Sequence, residues 1–392
     1  MSTFLDHYAV TKAGNEALLR GDATAALEHF RRVTASGRAG AEAWMGQADA
    51  CRALKDDGGA IAAVDRALAV DPRNFRALIA KADSYAAAGN ARAASSYYAA
   101  GLRNAPTAPQ RDPRLASELR RAQQMCEHYA HEYESFLHAK LAAAGFDSRR
   151  SSSRFAQSVD LMTGRKKLFL QQPSKYYFPE LPQIQFYERS AFPWLDEVER
   201  HTDDIVAELE AIMTDEAAFQ PYVERVVDRP RPEDDRLTNS RDWTALYLWK
   251  NGALVADNAR RCPRTLEALA QAPLCRIQGR TPSILFSRLR PGARIPPHYG
   301  FINARLICHL PLIVPESCGF RVGNDVRAWE KGKTWVFDDT IEHEAWNDSK
   351  EMRVILLFEI WRPELSEEER ALVSALIEAM SSFDTEQTAW NG

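Results

Sequence analysis

In the first hundred residues, small and large side chains return to the same positions with a period of about 34 residues. When the chain is laid out from His7, Ala41 and Phe75, one column holds Gly14, Ala48 and Ala82 and a second holds Ala26, Ala60 and Ala94. A third column holds Phe30, Val64 and Tyr98. Small residues let two helices approach closely, and the large ones fill the gap between them. Gly21-Asp22 and Gly89-Asn90 read as turns between the helices of a unit, and Pro72 and Pro106 close the second and third units. From Leu115 through Leu119, Ala122, Cys126, Tyr129, Tyr133, Phe136 and Leu141, apolar residues recur at helical spacing, which predicts one long amphipathic helix ended by Gly145. The polar, serine-rich run 148–154 reads as a linker. Beyond it come a segment rich in proline and aromatics (Phe178 to Trp194) and two helical stretches, one near Leu195 to Met213. From Thr281 the pattern turns to short strands, SILFSRL, ARLICHLPLIV, CGFRV, KTWVFD and MRVILLFEIW, with a hairpin turn at Gly323-Asn324-Asp325. After Pro363, SEEERALVSALIEAM reads as a terminal helix.

The period and its columns resemble the tetratricopeptide repeat. That resemblance implies three repeats from about 7 to 108 and a long capping helix over 114–144, together an all-α solenoid with a concave binding face. Glu42, Met45, Asp49 and Arg52 would line that face in the second repeat. An alanine-rich bundle with an accidental period is the alternative. The closely spaced strands predict a sandwich or jelly roll. The expected fold is therefore multidomain α and β, with a helical repeat domain over 1–147 and a β domain with flanking helices over 148–392.

Composition narrows the class. The chain has 392 residues, 45% of them hydrophobic and 27% charged, which excludes disordered, collagen-like and disulfide-scaffold proteins. Fifty basic against fifty-four acidic side chains leave a net charge of −4, so no global field draws the chain to nucleic acid or anionic lipid. The six cysteines are scattered, the opening MSTFLDHYAV has no secretory character, and the apolar stretch from Val354 to Trp361 is broken by Glu359 and too short to span a bilayer. These features place the protein in the cytoplasm, with neither a nucleic-acid nor a membrane partner.

Three histidines, His298, His309 and His343, fall in the strand-rich region. A lone histidine on a strand is usually a satisfied core or surface residue. Arg353, on the leading edge of an apolar strand, changes that reading, because a guanidinium buried there must find an anion. A carboxylate bound bidentately is the natural partner. His128 and His131 have ligand-like spacing on the long helix, but no third ligand is near, and they read as a solvated face.

The ordered series SRLRPGARIPPHYG, NARLICHLPL, FDDTIEHEAWND and Arg353-Val-Ile-Leu, ending in WRPEL, resembles the aspartyl/asparaginyl β-hydroxylases among the Fe(II)/2-oxoglutarate-dependent dioxygenases. QQPSKYYFPELP and DWTALYLWKNG upstream are also similar, so the resemblance covers most of 155–366. It implies a double-stranded β-helix (jelly roll) in which His298 and His343 ligate iron. Ser287 and Arg353 would hold the distal carboxylate of 2-oxoglutarate, with His309 near its chelating end and Arg305 as a further anion contact. The usual third ligand, an acid two residues after the first histidine, is replaced here by Gly300, as in the resembling family. Water would fill that position, ordered by Asp339. Asp338-Asp339 could equally be a strand-capping turn. Ile307 stands where some members carry arginine, and Trp329, Trp335, Trp346 and Trp361 read as core.

The implied cofactors are Fe(II), 2-oxoglutarate as cosubstrate and O2, with succinate and CO2 as by-products of hydroxylation. The expected substrate is a side chain of a peptide or protein, aspartate or asparagine first, presented by the repeats. Hydroxylation of a small molecule or acyl chain, chloride-dependent halogenation, and a catalytically inactive repeat-based adaptor are the competing readings.

Overall fold

The computed structural model describes residues 6–106, 113–148, 150–225 and 236–385. It divides into two compact units, Met1–Thr163 and Gly164–Gly392. The boundary expected at 147/148 therefore falls later. The cause is local: Ser152 caps a further helix by accepting from the Phe155 N–H, so the serine-rich run starts an element instead of ending a domain.

In the first unit, α1 (His7–Leu19), α2 (Ala23–Thr34), α3 (Ala41–Ala53), α4 (Asp57–Val70), α5 (Phe75–Ala87) and α6 (Ala91–Arg103) form three packed pairs, followed by α7 (Pro113–Ala143) and α8 (Ser153–Met162). This is a tetratricopeptide-like helical region. The end of the third repeat, expected at about 108, lies outside the described residues. Every pair turns in the same way. Gly21, Lys55 and Gly89 have φ of 80°, 62° and 72°, and the next residues, Asp22, Asp56 and Asn90, cap α2, α4 and α6 through their side-chain oxygens. The periodic columns have a steric cause. The Phe30 ring fills the space beside Gly14 and Gly46, where a Cβ at either position would collide with it.

Burial corrects one expectation for this unit, and ion pairing bears on another. Met45 is 3% exposed and belongs to the core, not to a binding face, because it packs between helix pairs with Ala63 and Ala77. Asp49 is already bridged to Arg52 at 2.8 Å and to Arg76 at 3.0 Å. His128 and His131 lie on an exposed face of α7, and His128 sits 3.6 Å from Glu132.

The second unit is β-rich. Among the described residues the helices α9 (Leu195–Arg200), α10 (Thr202–Met213), α11 (Ala256–Arg261), α12 (Pro263–Ala268) and α13 (Glu367–Thr385) flank eleven strands. These are β1 (Gln220–Pro221), β2 (Trp243–Lys250), β3 (Ala253–Leu254), β4 (Ile284–Leu289), β5 (Arg294–His298), β6 (Arg305–Ile313), β7 (Cys318–Val322), β8 (Asp325–Ala328), β9 (Trp335–Phe337), β10 (His343–Asn347) and β11 (Arg353–Trp361). One antiparallel sheet runs β1-β2-β4-β11-β6-β9, with β3 beside β2, and the other runs β5-β10-β7-β8. Val322 pairs with Asp325, so Gly323-Asn324 is a two-residue hairpin loop, as the turn residues predicted.

Alternation along β11 sets the layers. Val354, Leu356, Phe358 and Ile360 join the core formed with α9, α10 and α12, whereas Leu357 joins the core between the sheets. Arg353, Ile355, Leu357 and Glu359 all line a cavity. Among the described residues no helix is long and apolar enough to cross a membrane.

Candidate functional site

β5 and β10 bring the first pair of predicted site residues together. They run antiparallel with His343 opposite His298, and the two imidazole rings lie 4.0 Å apart, centroid to centroid. Both rings are fixed in the same way. His298 Nδ1 donates to the Pro296 carbonyl at 2.8 Å, and His343 Nδ1 donates to the Ile341 carbonyl at 3.1 Å. These backbone acceptors favour the tautomer that carries the proton on Nδ1, and His298 has a second backbone partner in His343. Burial pushes the His298 value below 6.5, and burial plus the neighbouring His298 push His343 well below it. Two neutral imidazoles side by side are what a divalent transition metal requires.

The cavity they face has a volume of about 510 Å³. Several buried polar atoms that line it lack a partner among the described residues: Arg353 Nε and Nη1, His309 Nδ1 and Asp339 Oδ1. Arg353 is 2% exposed, and desolvation lowers its guanidinium to about 10, still cationic at neutral pH. Its guanidinium carbon lies 5.6 Å from the Trp329 ring centre. Ser287 is buried on β4 and accepts from Trp243 Nε1 at 3.0 Å. Burial, reinforced by the Arg353 charge, holds His309 well below its ordinary value and so neutral.

Arg305 is placed differently from Arg353. Its Nη1 donates to Asp339 Oδ2 at 3.0 Å, and its Nε lies 3.0 Å from Glu359 Oε1. Burial alone would lower this guanidinium, and the two carboxylates more than reverse that, so it stays charged. Expected as a further anion contact, Arg305 is held between two carboxylates of the protein itself. Burial raises Asp339 to about 6, opposed by Arg305, and at neutral pH the two form an ion pair.

The adjacent aspartates divide their roles. Asp338 is fully buried and pairs with Arg362, while also accepting from Gln171 Nε2 at 2.6 Å and Thr340 N at 3.0 Å. It ties the 171–187 segment to the sheets. Asp339 turns the other way, towards Gly300: a Cβ at 300 would collide with its carboxylate. The missing side chain at 300 is thus the space Asp339 occupies. Among the described residues no group of three or more His, Cys, Asp or Glu side chains is arranged to hold a metal ion. The protein offers two imidazoles there, with Asp339 nearby and one oxygen unpaired.

Some lining residues were not singled out from the sequence. Tyr222 stacks on Trp243 with ring centres 3.9 Å apart, and burial raises its phenol to about 12. Tyr247, Lys250 and Glu359 also line the cavity. Glu359 interrupts an apolar strand, and that was the available signal: a charge at an inward position of β11 needs a buried partner. Trp335 and Trp361 are buried, Trp329 and Trp346 partly so, and none of the four lines the cavity.

Residues 199–363 match a family model described as aspartyl/asparaginyl beta-hydroxylase. The mouse aspartyl/asparaginyl beta-hydroxylase is 34% identical over 197 residues, 47% of this chain and 25% of that protein. The ornithine lipid ester-linked acyl 2-hydroxylase of Rhizobium tropici is 33% identical over 189 residues, 47% of this chain and 63% of that protein. The chain therefore spans a quarter of the mouse relative and less than two thirds of the rhizobial one. A solved complex of the yeast Sti1 TPR2B domain is 20% identical with a TM-score of 0.27, covering 32% of this chain and 97% of that chain.

Proposed function

We propose, from the premise that residues 199–363 belong to the aspartyl/asparaginyl β-hydroxylase family, that this hydroxylating enzyme uses Fe(II), 2-oxoglutarate and O2. The observation that carries the cosubstrate is Arg353, a buried cation with unpaired donors inside the cavity that the paired histidines face. Leaving it unpaired costs several kcal/mol, and a carboxylate satisfies its fork. The strand order, β5-β10-β7-β8 against β4-β11-β6-β9, supports reading the two sheets as a double-stranded β-helix.

In this reading His298 and His343 hold iron through Nε2, and Arg353 and Ser287 hold the distal carboxylate of 2-oxoglutarate. When bound, iron and cosubstrate supply the oxidising chemistry, in which O2 and 2-oxoglutarate give succinate, CO2 and one oxygen inserted into a substrate C–H bond. The chain supplies position and shielding. The Pro296 and Ile341 carbonyls keep both imidazoles in the ligating tautomer. Neutral His309 presents a polar edge beside Arg353 without adding charge. Asp339 keeps one oxygen free to order water at the position Gly300 leaves open, while Arg305 keeps its carboxylate ionised.

The substrate we assign first is a side chain of a peptide or protein, with the helical repeats as its recruiting surface. A small molecule or acyl chain is the second reading, favoured by the apolar midsection of the cavity, where Ile295, Ile307, Ile355 and Leu357 line the wall. The test is succinate release from 2-oxoglutarate by the iron-loaded chain in air, run beside His343→Ala. Release by the parent and loss in the variant are expected. Equal release by both, or none by the parent, contradicts the assignment and favours the adaptor.

A further inference from the structure

Among the described residues four arginines are buried, and they are not held alike: Arg288, Arg305, Arg353 and Arg362. Three are pinned by carboxylates. Arg288 donates to both oxygens of Glu216 at 2.9 and 2.7 Å, Arg305 is shared by Asp339 and Glu359, and Arg362 pairs with Asp338. Arg353 has no carboxylate partner among the described residues, and its Nε and Nη1 are unpaired. Something else must keep this long side chain from wandering.

What it has is the face of Trp329, with the guanidinium carbon over the indole at 5.6 Å. That indole is itself clamped. It stacks on Trp335 with ring centres 4.3 Å apart and planes 23° apart, and its other ring neighbours include His309 at 6.0 Å and 23°. Trp335 and His309 are cross-strand partners on β9 and β6, so a strand pair fixes the plane of the ring. No hydrogen bond does so, because Trp329 Nε1 is buried without a partner among the described residues.

We propose that Trp329 is a positioning residue, whose indole face holds the Arg353 guanidinium in place while leaving its in-plane N–H groups free for the distal carboxylate of 2-oxoglutarate. This rests on the reading above, in which that carboxylate takes Arg353. The five donors of a guanidinium all lie in its plane. A protein carboxylate would hold the cation by occupying those donors, whereas an aromatic ring attracts it from above and consumes none. An arginine left without either would have to be ordered by its ligand, and that entropy loss would weaken binding. Trp329 thus belongs to the site without lining its cavity.

The test titrates the Mn(II)-loaded full chain with 2-oxoglutarate by calorimetry. Trp329→Met, which fills space but has no ring, should bind the cosubstrate about tenfold more weakly and Mn(II) as the parent does. Trp329→Phe keeps a ring face and gives up no hydrogen bond to a described residue, so it should restore binding to within about threefold of the parent. A second reading needs no variant at position 329. In the metal-free parent, the Arg353 Nε–H proton, identified by its absence from Arg353→Met, should resonate upfield of a solvated arginine's, because a ring face shields it. Parent-like affinity in Trp329→Met, failure of Trp329→Phe to restore binding, or an Nε–H signal at the solvated position overturns the proposal. So does a joint weakening of Mn(II) and 2-oxoglutarate, which would make Trp329 a structural residue only. If Arg353→Met binds 2-oxoglutarate as the parent does, the underlying reading has failed. If Arg353→Met loses it and Trp329→Met does not, only the role given to Trp329 has failed.

Discussion

Arg353 carries its charge without an anion to balance it, so two opposite consequences follow from removing that charge. Arg353→Met should abolish saturable 2-oxoglutarate binding, and in the absence of ligand should leave the chain at least as stable as the parent, by up to about 1–3 kcal/mol. Calorimetric titration and urea denaturation of one preparation check both; lost stability together with retained binding would assign Arg353 to structure. Asp338→Asn should behave differently, destabilising by about 3 kcal/mol or more, because it strands the fully buried Arg362. At this scale Arg353 was legible, because a guanidinium on an apolar strand needs an anion, whereas His298 and His343 were singled out through the family resemblance; the structure brings all three to one cavity. The split between Asp338 and Asp339 was not legible, since two adjacent identical residues differ only in which way the backbone turns each one. Tyr222 and Trp243 were also missed as a pair, because stacking between residues on β1's flank and β2 leaves no trace in sequence spacing.

The helix pairs show how far an element can be read from its repeats. The glycine-led turns at 21 and 89 were visible, and the one between them was not, because Lys55 adopts the left-handed backbone there with φ 62°. Lys55→Gly should therefore stabilise the first unit by about 1 kcal/mol, read as a raised thermal midpoint. No change or a fall would mean that the lysine side chain contributes more than its backbone costs. Gly46→Val tests the steric reading of the columns. Its added branch collides with Phe30 and should cost about 1–3 kcal/mol, despite removing a helical glycine. Strands β4, β6, β7 and β11 stood out by their apolar runs. β5 (Arg294–His298) and β10 (His343–Asn347) did not, because prolines, histidines and polar residues interrupt them. Those are the strands that carry the paired imidazoles, so the elements hardest to read are the ones the site is built on.

At the scale of the whole molecule, burial of His298, His309 and His343 in neutral form couples folding to pH. Each has a native value below its ordinary 6.5, so below 6.5 the unfolded chain binds protons that the native chain does not. Stability should then fall as pH drops from 7 to 5.5, by up to about 1.4 kcal/mol per pH unit per histidine. Asp339, raised from 3.8 to about 6, works in the opposite sense, since the native chain binds the extra proton between those values and regains part of the loss. Urea midpoints of metal-free protein at pH 7.5, 6.5 and 5.5 check this: a small fall between the first two and a steeper one to the third. The division into a helical repeat unit and a β-rich unit was legible from periodicity, while the boundary at Thr163 was displaced by a helix whose serine-rich start looked like linker. The central claim is that two imidazoles and one guanidinium jointly hold Fe(II) and 2-oxoglutarate. Anaerobic visible absorption tests it most directly. A charge-transfer band should grow when 2-oxoglutarate is added to the Fe(II)-loaded chain, vanish in His343→Ala, and require far more 2-oxoglutarate in Arg353→Met. No band in the parent, or the same band in all three proteins, would contradict it.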